Sequence, residues 1–167
     1  MDVLPLLPIA VFSTLALLLL WGLFLGYPRK RFASRVLTAK EQAIVTACAD
    51  TLFPARDSMP LTGSEAGTVE YLDQHLADLP GDKRILIRLL FILIEHSPWI
   101  FGMTPRFSSL SEARRYAFLM SMANSRLYMR RLSFLSLRTL LCMAYFAHPE
   151  IAARVGSTPN ARPFSPS

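Results

Sequence analysis

The stretch TGSEAGTVEYLDQHLADL, residues 62–79, decides the fold class. Val69, Leu72, Leu76 and Leu79 recur at steps of three, four and three, which puts all four on one helix face. A strand, repeating every two residues, cannot gather them. Thr62-Gly63-Ser64-Glu65 has the spacing of a capping box and predicts that the helix opens there, and Pro80-Gly81-Asp82 ends it. Upstream, Thr38-Ala39-Lys40-Glu41 carries the same spacing. It predicts a helix with Val45, Cys48 and Leu52 on one stripe, stopping before Pro54. Asp57, Ser58 and Pro60 make residues 54–63 a loop.

Downstream, residues 85–94 are apolar except for Arg88. The run is too short to cross a bilayer and predicts a central core helix, closed by Ser97-Pro98. Residues 99–107 read as an aromatic-rich loop. A further helix starts near Ser109 or Ser111 with Tyr116, Leu119, Ala123 and Leu127 at helical spacing, and a last one covers residues 128–147. No strand-length alternation is present. The expectation is an all-α body of about five helices over residues 36–154, followed by a disordered tail, 155–167, of Gly, Ser, Thr, Pro and Asn.

Residues 1–35 differ in kind. No charge occurs between residues 4 and 26, enough helix to cross roughly 30 Å of hydrocarbon. A cleaved secretory signal would begin with basic residues. This leader begins Met1-Asp2, and Arg29-Lys30-Arg31 follows the apolar stretch, so an uncleaved transmembrane helix is expected. The positive-inside rule then places the body on the cytoplasmic side, with Trp21 and Tyr27 near the inner headgroups.

The net charge of +6 is segregated. Residues 36–82 hold eight acids against two bases, whereas residues 83–167 hold twelve bases against three acids. Either the halves neutralise each other, or the basic helices, with Arg130, Arg131 and Arg138, face anionic lipid or an acidic partner. Nucleic acid is the poorest fit, because the bases interleave with Leu and Phe.

Candidate chemistry is sparse. Cys48 and Cys142 form no C-x-x-C pair and no haem attachment motif. His75, His96 and His148 have no partner at zinc-helix spacing, and His96 reads as a helix-end residue. There is no glycine-rich phosphate loop, G-x-S-x-G or H-E-x-x-H. Asp50, Asp73 and Glu95 are the carboxylates an unrecognised enzyme site would use; helix capping is the simpler role for the first two.

An ordered set of residues remains. Asp50-Thr51-Leu52-Phe53-Pro54 is followed by Asp57, Pro60, Gly63, Glu65-Ala66-Gly67, Val69 and Tyr71-Leu72-Asp73. Phe107, Leu110 and Arg114 come next, and Tyr145-Phe146-Ala147-His148-Pro149-Glu150 closes the set. In this order, over residues 37–156, the chain resembles the gluconate 2-dehydrogenase subunit 3 family. The resemblance implies a non-catalytic accessory subunit of a membrane-associated, FAD-dependent sugar or alcohol oxidoreductase of the glucose-methanol-choline type. FAD would reside in the large partner, a cytochrome subunit can accompany it, and this chain would hold no cofactor. Asp50, Pro54, Gly63, Tyr71, Asp73, Phe107 and Tyr145 match as signature or partner-contact positions. The leader departs from the pattern, because relatives commonly begin with a twin-arginine export signal. The alternative function is a stand-alone membrane scaffold that binds anionic lipid.

Overall fold

A computed structural model of the chain describes residues 34–100 and 106–156. Six α-helices and one 3-10 turn, Phe107–Ser109, make up the described residues, with no strand beyond an isolated bridge between Arg56 and Met59. The body is all-α.

Helix α1, Ala39–Leu52, opens as predicted: the Glu41 amide donates to Thr38 Oγ1 and the Thr38 amide donates to Glu41 Oε2 at 2.8 Å. It is also the most enclosed helix. Ala47, Cys48 and Ala49 are small enough for neighbours to close in on several sides, and Ile44 and Val45 are fully buried. The central position predicted for residues 85–94 therefore belongs to α1.

Helix α2, Thr68–Asp78, starts later than the sequence predicts. Thr62 and Glu65 do exchange reciprocal bonds, but these close a turn. Gly67, in the left-handed region at φ 69°, breaks the path, and the helix begins after it. Helix α3, Gly81–Ile100, follows almost at once. The sharp link works because Arg84 donates to the carbonyls of Leu76, Ala77 and Leu79 at 2.9–3.0 Å, satisfying the end of α2. Pro98 does not stop α3, contrary to expectation. It sits in the last turn, where only one donor is lost, and Ser97 Oγ donates to the Leu93 carbonyl beside it.

Helix α4, Glu112–Ala123, and helix α5, Tyr128–Phe146, form an antiparallel pair. The inward face of α4 is Phe118, Leu119 and Met122. Of the predicted stripe only Leu119 is fully buried; Tyr116 is exposed, and Leu127 is exposed beyond the end of the helix. Helix α6, Pro149–Gly156, was not expected, and it carries helix into the segment assigned to the tail. Its Ile151 is fully buried in a small cluster with Ala66 and Tyr145.

The main core joins Leu72 and Leu76 of α2, Phe91 and Ile94 of α3, Phe107, and Leu137 and Leu141 of α5 around α1. No helix among the described residues is long and apolar enough to cross a membrane. The predicted anchor, residues 4–26, and the tail beyond residue 156 lie outside the described residues.

Candidate functional site

The signature residues divide into three groups. Asp50, Pro54, Gly63 and Tyr145 meet at the loop joining α1 to α2. Asp50 Oδ1 accepts the Ser64 amide at 2.8 Å, and the Gly63 amide donates to the Phe53 carbonyl at 2.9 Å. Gly63 lies directly on α1, and a Cβ there would fall 2.5 Å from the Ala49 carbonyl carbon and oxygen. Only glycine fits. Tyr145 reaches across from α5, its ring stacked on Phe53 with centroids 4.3 Å apart and planes 4° apart. Its hydroxyl donates to the Leu61 carbonyl at 2.9 Å. Pro54 lines a shallow polar pocket of about 410 Å³ with Asp50, Thr62, Glu112 and Arg115. Arg115 is engaged there, donating to the carbonyls of Leu110 and Ala47.

The second group is Tyr71 and Asp73 on α2. Asp73 is buried and accepts three consecutive amides, from Arg35 at 2.7 Å, Val36 at 2.9 Å and Leu37 at 2.8 Å. Burial alone would raise its pKa, but the three N–H donors outweigh burial and hold the carboxyl below its usual range. Tyr71 packs half-buried against the core and lies 6.1 Å from the His75 ring, nearly parallel to it.

Phe107 forms the third group, apart from the others. It is fully buried, its ring 6.0 Å from that of Phe118. Glu95 is fully buried nearby, accepting the Ser108 amide at 3.0 Å and the Ser108 hydroxyl at 2.7 Å.

The carboxylates singled out as conceivable acids or bases are thus bound into the frame. Asp50 and Asp73 each accept backbone amides, and no group of three or more His, Cys, Asp or Glu is placed to hold a metal among the described residues. His96 sits a full turn before the end of α3, with Nε2 3.2 Å from Lys40 Nζ. Burial, then Lys40 and Arg106, push its pKa down against the pull of Glu95, so it is a neutral partner of Lys40 rather than a cation at the helix end. Cys48 is fully buried and Cys142 half-buried, and both are free thiols. Burial and the nearby Glu95 push the Cys48 thiol far up.

Two features escaped the sequence reading. Arg88 of α3 donates through Nε to Glu41 Oε1 at 2.6 Å and through Nη2 to Oε2 at 3.1 Å, tying the basic half to the acidic half. Helices α3 and α5 also leave an apolar groove of about 740 Å³, lined by Leu86, Leu89, Ile92, Leu93, Met129 and Leu132 among others, with Ser133 and Ser136 its polar residues. Leu86 is 65% exposed and Met129 67%. The signal was present: a ten-residue run with one charge holds more apolar residues than a single buried stripe requires.

The distinctive polar residues of this molecule fasten its helices to one another while apolar side chains stay at the surface, the pattern of a small helical subunit built to sit against something else. Residues 39–160 match the family model described as gluconate 2-dehydrogenase subunit 3, and the chain belongs to that family. No curated protein and no solved structure matches it.

Proposed function

We propose that this chain is a non-catalytic, membrane-tethered accessory subunit that binds, anchors or matures a flavin-dependent oxidoreductase of the glucose-methanol-choline type. The FAD belongs to the large partner, and a cytochrome subunit can complete the assembly. Family membership over residues 39–160 carries the reading. The internal use of Asp50, Gly63, Asp73 and Tyr145 supports it, because these residues shape the frame and leave contact to the surface around them.

On that surface the outer stripe of α5, with Leu135, Met143 and Phe146 exposed, offers the aromatic and apolar anchors that dominate protein interfaces. Tethering by the leader would confine the body to two dimensions and raise its effective concentration at a membrane-bound partner. The test is co-purification from a detergent extract, followed by measurement of bound flavin. An associated FAD protein is the expected result, reduced by Phe146→Glu; a monomer without a flavoprotein companion overturns the reading.

The side of the membrane is a separate matter. The basic flank, Arg29-Lys30-Arg31 and Arg35, supports a cytoplasmic body. A C-terminal reporter active only in the periplasm should stay silent.

A further inference from the structure

The exposed apolar residues of α3 form a band, Ile85, Leu86, Leu89, Ile92 and Leu93, and Trp99 follows one turn beyond half-buried His96. No charged side chain lies between Ile85 and Leu93 on that face, which Arg88 borders. The opposite side of the same helix faces the core through Phe91 and Ile94, and Arg88, at the edge of the band between Ile85 and Ile92, holds Glu41. The helix is therefore one-sided, unlike a spanning helix, which is apolar all round.

The chain enters the body beside this band. Arg35, Val36 and Leu37 are fastened to Asp73, and Thr38 shares Glu41 with Arg88, within one turn of Ile85 and Leu89. Only eight residues, nine backbone steps, separate Gly26, where the uncharged leader ends, from Arg35. Even fully extended they reach at most about 32 Å. Of the exposed bases in the half of the chain where bases outnumber acids twelve to three, Arg126 stands three residues before the groove-lining Met129, whereas Lys83 and Arg138 lie on other sides of their helices.

From this placement we infer that the outward band of α3, with the groove it shares with α5, lies in the headgroup region of an anionic bilayer, the one the leader enters. The inference rests on the membrane tether proposed above and not on the flavoprotein. Band residues would enter the headgroup and acyl boundary by roughly 5–10 Å, with Trp99 at the depth that indole rings favour and Arg126 meeting lipid phosphates. The body then has a fixed face toward the membrane as well as an attachment point.

Trp99 supplies the probe, because Trp21 is the only other tryptophan. The full chain carrying Trp21→Phe is placed in vesicles of phosphatidylcholine and phosphatidylglycerol brominated in the upper acyl chain. Trp99 should lose most of its emission, and high salt should restore part of it. Leu89→Glu with Leu93→Glu changes two exposed positions and should abolish the quenching while the protein still floats with the vesicles and unfolds at the same temperature. A floating protein whose Trp99 is unquenched overturns the inference alone, whether the band is covered by the leader, a second copy or the oxidoreductase. A protein that fails to float overturns the tether and this inference together.

Discussion

Glu41 and Arg88 lie forty-seven residues apart, yet their side chains form a two-point ion pair with Nε to Oε1 at 2.6 Å. Glu41 is only 4% exposed and also accepts the Thr38 amide and hydroxyl, so one carboxylate caps α1 and clamps α3. Burial works to raise its pKa; the Arg88 hydrogen bond and the bonds from Thr38 more than reverse this. Arg88→Met leaves the buried anion with the amide and hydroxyl of Thr38 as its hydrogen-bond donors. It should destabilise the body by about 2 kcal/mol, less than a wholly enclosed pair because Arg88 keeps contact with water. Urea unfolding measures this. An unchanged midpoint would show that the pair contributes nothing.

Gly63→Ala should cost about 3 kcal/mol, since the new methyl would meet the Ala49 backbone rather than a movable side-chain tip. Gly81→Ala is the control. Nothing lies within 4 Å of a Cβ at that position, and alanine should leave stability unchanged or raise it by a few tenths of a kcal/mol. Thermal unfolding of the two variants side by side decides the matter; equal midpoints contradict the close approach.

Asp73→Asn keeps the shape but weakens the grip on three amides, and about 1–2 kcal/mol should be lost at neutral pH. The folded carboxyl lies below its ordinary value, so its contribution is present above about pH 4 and disappears as pH falls through the folded value. The variant should therefore show a shallower loss of stability on acidification. Parallel acid limbs for variant and parent would refute the assignment.

Tyr145→Phe removes the bond to Leu61 and keeps the stack on Phe53, costing about 1 kcal/mol. Tyr145→Ala removes both and opens a cavity, costing about 3–5 kcal/mol. Proteolysis within the loop, at Arg56, should rise in the same order.

A thiol reagent should label Cys142 in the native protein and reach Cys48 only after unfolding, because Cys48 is fully buried and its thiolate strongly disfavoured. Mass spectrometry before and after urea distinguishes one label from two. Two labels under native conditions would mean that α1 is not enclosed.

Much of the fold was legible because capping chemistry is local. Thr38 and Glu41 need only their own spacing to start α1, and Leu72 and Leu76 only their period to turn inward. Misreadings arose where a distant group decided the outcome. Thr62 and Glu65 form the expected pair of bonds but serve a turn, because Gly67 turns the chain and Gly63 seats the loop on Ala49. Pro98 is carried inside α3, and Tyr116 points outward because Phe118, Leu119 and Met122 take the inner face of α4. Helix α6 had its own signals, Pro149-Glu150 in the first turn and Arg154 in the last, obscured by the low-complexity residues that follow. The signature residues could be located from their order along the chain. That Asp73 reaches back to residues 35–37 could not, because nothing local encodes a contact over some thirty-six positions.

Those three amides converging on one carboxylate also have a mechanical meaning. A load that enters the body at Arg35 would pass to α2 through Asp73 as well as along the backbone into α1, so the two helices would bear it together. Pulled from its N-terminus, the protein should give way first at this fastening, and the helices behind it should yield only at higher force.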